Sequence, residues 1–219
     1  MVELVKNVDP EKVGSNLAEI RERIAVAAPA GVAGDSVEVV AATKYVPNDL
    51  MPFLAEGGVT VAGENRFQDL LSKQESHGDL FTWDFIGDLQ SRKAPALVGK
   101  VRLIHSLGSV SALEKLERAD SGDQEVLVQV NIAQEESKSG VSPDELSRFL
   151  DSDGCKVVGL MTMPPYTETP EESRRWFAAL RELGDTHGLQ RFSMGTSQDY
   201  EIAVSEGATM VRVGSLLWN

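Results

Sequence analysis

Lys44 sits at the end of the run VEVVAATKYVP, residues 37–47, and its setting demands a chemical explanation. Val, Ala and Thr in a near-continuous apolar run bounded by turn signals predict a strand buried on both faces. Lysine is rarely fully buried unless it has a partner. Two readings are open. In one, the strand ends at Thr43 and Lys44 reaches water along its aliphatic stem. In the other, Lys44 occupies an apolar pocket. Desolvation there lowers its pKa and frees a neutral amine to attack a carbonyl and form a Schiff base.

Two further stretches bear on that choice. SMGTS (193–197) and VRVGS (211–215) are small-residue turns, each at the end of a predicted strand. Glycine lets a backbone approach a ligand closely, serine offers a hydroxyl, and a following helix offers N–H donors, so together they suit a phosphate. Arg212 lies inside the otherwise apolar MVRVG, where burial would require a partner. A lysine, a phosphate cradle opposite it and an arginine between them suit a phosphorylated aldehyde. Pyridoxal phosphate (PLP) has that shape, with a phosphate, a ring nitrogen and an aldehyde that condenses with an amine.

The elements that must position these groups alternate regularly. Asp9-Pro10-Glu11 opens a helix with an Asp N-cap and Pro at the first helical position, and Val13, Leu17, Ile20 and Ile24 then share one face. Strands are predicted to end at Lys44 and over 59–62, 81–86, 101–106, 125–132, 156–163, 191–194 and 209–213. Helices are predicted over 47–56, 91–98 and 109–119, around Phe67, Leu70, Leu71 and Gln74, after Ser142, after Thr169, and up to Ser205. Ser142-Pro143-Asp144-Glu145 and Thr169-Pro170-Glu171-Glu172 both read as capping boxes. The helix after the second carries Trp176, Phe177, Leu180 and Leu183 on a core-facing side. Eight strands, the first seven each followed by a helix, predict an α/β fold: one (β/α)8 TIM barrel over 1–219 with an extra N-terminal helix. An open doubly wound sheet would be expected to show a Gly-rich dinucleotide turn, and neither that nor a Walker A sequence is present.

In a barrel the active site lies at the C-terminal ends of the strands. Those positions hold Lys44, Glu64-Asn65, Gly87 with Gln90, His105-Ser106, Asn131, Met163, the 193–197 turn and the 212–215 turn. Singly each reads as a turn or cap residue: Asn65 as a cap, Gln90 as a solvated helix start, Ser197 as the N-cap of the next helix. Jointly they converge on one face.

The net charge of -13 and the lack of a basic stripe argue against nucleic-acid binding. No apolar run approaches a membrane span, and the N-terminus has no signal-peptide core. The single Cys155 excludes an intrachain disulfide and fits a reducing, cytoplasmic setting. His77, His105 and His187 show no metal-ligand spacing with Cys155, so no metal is expected. His105, at a strand exit, reads first as a satisfied core or rim histidine.

Taken together, AATKYVP, GENRFQD, DFIGDLQSRK, VLVQVNIAQEESKSG, GLMTMPP and FSMGTSQDYEIAVSEGATMVRVGS resemble the pyridoxal phosphate homeostasis proteins. The barrel of that family is similar to the N-terminal domain of alanine racemase, fold type III among PLP proteins. The resemblance spans most of the chain. It implies that Lys44 forms an internal aldimine with PLP and that Ser197, Gly214 and Ser215 hold the phosphate, with Ser193 nearby. It also implies that Arg212 donates to the ring nitrogen and that Asn65 lies beside the ring. The implied function is intracellular PLP homeostasis by a non-enzymatic, monomeric carrier, with PLP-dependent apo-enzymes as recipients. Three features depart from the family pattern: Arg92 in place of Asn, Thr196 in place of Met, and the ending SLLWN.

The alternatives are a PLP-dependent racemase and a Schiff-base aldolase on a barrel. An arginine at the ring nitrogen leaves that nitrogen unprotonated and a weaker electron sink. A two-base racemase also needs a second acid–base group, which related racemases take from a further β domain absent here. The tyrosines are Tyr45, Tyr166 and Tyr200. Tyr45 points away from Lys44 if the strand continues, which leaves Tyr166, in a Pro-rich loop, as the candidate base.

Overall fold

Strands linked by helices must run parallel, and a parallel sheet open at its edges leaves backbone groups unpaired. This chain removes the edges by closing the sheet. The computed structural model describes residues 4–119, 122–135 and 139–219. The strands are β1 (Glu38–Ala42), β2 (Val61–Glu64), β3 (Thr82–Phe85), β4 (Leu103–Leu107), β5 (Glu125–Gln129), β6 (Lys156–Met161), β7 (Arg191–Thr196) and β8 (Met210–Val213). They form a closed barrel in sequence order, β8 pairing in parallel with β1 through Val40↔Arg212 and Ala41↔Val213.

The first helix, α1 (Pro10–Ala27), starts where the Asp9 carboxylate accepts from the Glu11 N–H at 3.0 Å, and it buries Val13, Leu17, Ile20 and Ile24. After β1 to β7 come α2 (Met51–Glu56), α3 (Phe67–His77), α4 (Ala94–Leu97), α5 (Val110–Arg118), α6 (Leu146–Leu150), α7 (Arg174–Thr186) and α8 (Tyr200–Ser205). Among the described residues only a 3-10 turn, Ser215–Leu217, and no α-helix follows β8. Helix α1 packs against both α2 and α8, so the expected extra helix takes the eighth place in the ring.

Several elements differ from expectation. Strand β1 ends at Ala42, and residues 43–46 form a turn closed by the Val46 N–H to the Thr43 carbonyl at 2.8 Å. Strand β4 runs on to Leu107, so His105 and Ser106 lie within it rather than at its exit. The helix expected over 91–98 shrinks to α4 after a turn. The capping box at Ser142 and Glu145 forms, but Thr169 makes no side-chain cap bond, and Glu171 pairs with Arg174 instead. On α7, Phe177 and Leu180 are buried, while Trp176 and Leu183 are only partly covered.

Alternation along the strands sends every second side chain into the barrel. One part of the lumen is filled by Leu103, Leu127, Met161 and Met210. Beside this cluster lies a polar set: Asp84 on β3, His105 on β4, Ser193 on β7 and Arg212 on β8, all buried. Among the described residues, no helix is long and apolar enough to cross a membrane.

Candidate functional site

The C-terminal mouth of the barrel opens into a cavity of about 760 Å³. Lys44, Asn65, Ser197, Arg212, Gly214 and Ser215 all line it, although they come from strand exits 1, 2, 7 and 8. Ile86, Met163, Thr196 and Trp218 complete the part of the wall that matters below. Ser193 is not in the wall. It is fully buried behind Arg212 and touches the guanidinium. The exits at Gln90 and Asn131 also lie outside the cavity. Gln90 is exposed, and Asn131 closes a local turn with Glu135.

The Lys44 side chain is exposed, closer to the solvent-reaching reading than to a desolvated pocket. Because the chain turns at Thr43 instead of continuing as a strand, Tyr45 does not point away. The Lys44 Nζ lies 4.8 Å from the centre of the Tyr45 ring, a cation–π contact.

Beneath this turn is an ion pair that sequence reasoning missed. Lys73 of α3 donates to Glu64 and, at 2.9 Å, to the Thr43 carbonyl. The Thr43 hydroxyl donates to Glu64 at 2.6 Å, and the Asn65 N–H donates to the second Glu64 oxygen at 3.2 Å. Glu64 is fully buried and Lys73 nearly so. The signal was available, because Lys73 lies three residues from Leu70 on the buried face of α3.

Asn65 is held by a second device. A Cβ on Gly87 would stand 1.9 Å from the Asn65 carbonyl oxygen, so only glycine lets the β3 exit come this close. The Asn65 Oδ1 is buried, yet it has no hydrogen-bond partner. A buried acceptor without a donor is costly, and at a cavity wall it suits a ligand group that can donate.

At the opposite wall the Gly214 N–H donates to the Ser197 hydroxyl at 3.1 Å, tying the turns after β7 and β8 together. Ser197 therefore does not cap α8, whose N-cap position is Asp199. The Asp199 carboxylate instead accepts from the Thr196 N–H at 2.8 Å and the Thr196 hydroxyl at 3.0 Å. Gly195 has φ +89°, and a Cβ there would meet Ala203 at 2.6 Å, so this glycine serves the turn and the packing of α8.

Arg212 is 5% exposed and, among the described residues, has no carboxylate partner within bonding distance. Its NH1 donates to the Ser193 carbonyl at 2.8 Å and to the Ser193 hydroxyl at 2.5 Å. Its NH2 donates to the Thr162 carbonyl and to the Met163 sulfur, both at 2.9 Å. Burial pulls its pKa down to about 10, against the opposing charge of Asp199, so the cation persists at neutral pH. A cation held only by neutral oxygens and a thioether keeps its charge available to the cavity.

The features that depart from the pattern fall on both sides of the wall. Arg92 is exposed and outside the cavity, whereas Thr196 lines it. Within SLLWN, Leu217 is buried, Trp218 lines the cavity, and Asn16 of α1 donates to the Leu217 and Asn219 carbonyls at 3.2 and 3.3 Å.

The sequence profile of the family described as "Alanine racemase, N-terminal domain" matches residues 8–219. The pyridoxal phosphate homeostasis protein of Aquifex aeolicus is 42% identical over 217 residues, covering 92% of this chain and 95% of its own. The chain belongs to the pyridoxal phosphate homeostasis proteins, within the alanine racemase N-terminal-domain family. Among solved structures, PipY of Synechococcus elongatus with PLP bound superposes on this member of the family with a TM-score of 0.78. It shows 30% identity over 94% of this chain and 100% of that chain. Alanine racemase of Corynebacterium glutamicum, at 16% identity and a TM-score of 0.71 over 99% of this chain and 62% of its own, shares the fold.

Proposed function

We propose that this homeostasis-family protein binds pyridoxal 5'-phosphate in the mouth cavity and holds it as a Schiff base on Lys44, serving the cytoplasmic PLP pool without turning over amino acids. The observation that carries the reading is the convergence of Lys44, Arg212 and the Ser197–Gly214 pair on one cavity. The unpartnered Asn65 Oδ1 supports the fit. PipY, which superposes closely, has PLP bound.

The cofactor supplies an aldehyde, a ring-nitrogen acceptor and a phosphate. Lys44 would supply the amine that holds the aldehyde, the chemistry being imine formation with release of water. The Ser197 and Ser215 hydroxyls offer donors to the phosphate, and Gly214, whose N–H holds the Ser197 hydroxyl, lets the backbone approach it closely. Arg212 donates to the ring nitrogen and keeps it unprotonated, which weakens carbanion chemistry. A guanidinium carries donors and no acceptor, so the arginine does not act as a base. Tyr45 lies beside Lys44 rather than across from it, and Tyr166 is 81% exposed, so neither supports the racemase reading. Release to PLP-dependent apo-enzymes suits a lysine at the open mouth of the cavity.

The test is the visible spectrum of the protein with added PLP, before and after borohydride reduction, followed by peptide mapping. A long-wavelength band fixed onto Lys44 by reduction, with no racemisation of supplied amino acids, is expected. No band, or label scattered over surface lysines, would falsify the Schiff-base reading.

A further inference from the structure

A polar chain crosses the barrel lumen behind Arg212. The His105 Nδ1 lies 2.8 Å from the Ser193 hydroxyl, and its Nε2 lies 3.1 Å from the Asp84 carboxylate. Strands β4 and β7, which carry His105 and Ser193, are not neighbours in the sheet, so this contact spans the lumen. Asp84 also accepts from Arg102, whose guanidinium forks onto Glu38 with two bonds of 2.6 Å.

The hydrogens on this chain can be assigned from its ends. Asp84 is ionised: burial pushes its carboxyl up, but hydrogen bonds from His105 and Arg102 outweigh that and hold it below the ordinary range. It therefore accepts, and the His105 Nε2 carries the proton. Burial and the nearby Arg212 and Arg102 charges oppose a second proton on the ring, against the pull of Asp84. The Nδ1 is then an acceptor, and among the described residues the donor facing it is the Ser193 hydroxyl. With its hydrogen committed to His105, the Ser193 oxygen can only accept from Arg212. Had the ring carried a hydrogen on Nδ1, the serine oxygen would receive two donors and its own hydrogen would have no partner.

We propose that His105 and Ser193 are positioning residues for Arg212: the neutral imidazole, anchored by Asp84, orients the Ser193 hydroxyl as an acceptor, and that acceptor aims the guanidinium at the nitrogen acceptor of a bound ligand. Four guanidinium hydrogens are engaged by Ser193, Thr162 and the weakly accepting Met163 sulfur. Among the described residues the Nε–H has no acceptor. It and the hydrogen on the thioether are the donors a ligand can claim. The link to the ligand rests on the PLP reading above, whereas the hydrogen assignment does not.

Two measurements test the proposal. The first is the imidazole nitrogen NMR spectrum of the ligand-free protein, with His77→Gln and His187→Gln used for assignment. His105 should stay in the neutral Nε2–H tautomer from pH 8 down to pH 5. An Nδ1–H tautomer, or protonation at the usual histidine midpoint, overturns the proposal. The second compares affinities of wild type and Ser193→Ala for PLP and for its 1-deaza analogue, which has C–H in place of the ring nitrogen. A misaimed buried donor costs about tenfold in binding. Ser193→Ala should therefore weaken PLP by about that factor and leave the analogue within about twofold. Equal weakening of both, or of neither, overturns it. Failure of wild type to bind PLP sinks the parent reading, and the NMR spectrum then decides the His105–Ser193 assignment alone.

Discussion

Lys73 and Glu64 form a buried ion pair directly beneath the turn that carries Lys44. Removing one partner of a buried pair leaves an uncompensated charge and typically costs about 3–5 kcal/mol. Lys73→Met is expected to destabilise the protein by that order in urea denaturation. Lys73→Met with Glu64→Gln should recover part of the loss, because the amide removes the uncompensated charge while its single oxygen still accepts from the Thr43 hydroxyl. A double variant no more stable than the single one would show that packing, not charge, carries the effect.

Arginine and lysine are not equivalent at position 212. A guanidinium reaches the Ser193 and Thr162 carbonyls at once, whereas an ammonium presents no rigid fork. Arg212→Lys should therefore weaken PLP by about tenfold or more in equilibrium titration, since at least one buried acceptor is left without a donor. The borohydride-trapped adduct on Lys44 should still form at high PLP concentration.

His105 makes stability depend on pH in a definite direction. Its pKa is lowered in the folded state, chiefly by burial, while in the unfolded chain it is about 6.5. Below that value the unfolded chain binds the extra proton, so the stabilising contribution is present above about pH 6.5 and lost as pH falls toward the folded value. The slope is up to about 1.4 kcal/mol per pH unit for one group. Denaturation midpoints at pH 7, 6 and 5 should fall in that order. A flat profile over this range would mean that His105 protonates as easily in the fold as outside it.

Asn16 ties α1 to the segment that supplies Trp218. Asn16→Ala should lower stability by about 1 kcal/mol. It should also speed PLP release in stopped-flow exchange, because Trp218 lines the cavity and Leu217 anchors it.

The barrel was legible because each strand reads as an apolar run between helical patterns, and closure follows from the count. Lys44, Arg212 and the two small-residue turns were legible because each breaks the local apolar pattern. Asp84 was not, since in TWDF one acid beside aromatic residues reads as a strand with an exposed face, and only the tertiary fold turns it into the lumen beside His105. Lys73 was passed over because a lysine on an amphipathic helix reads as surface, although its spacing from Leu70 puts it on the buried face. Tyr45 was misplaced because the turn at Thr43 depends on Glu64 and Lys73, which lie on other elements. Ser193 reads as part of a phosphate turn, yet its parity along β7 sends it inward behind the arginine.

Strand β8 docks on β1 through residues separated by most of the chain, and the cavity wall draws on both regions, from Lys44 at one side to Gly214 and Trp218 at the other. No partial assembly of strands encloses that space. Sheet closure and the appearance of a binding site are thus a single event. A partly unfolded chain therefore lacks the cavity that Lys44, Gly214 and Trp218 line together, and in it Lys44 is one more surface lysine.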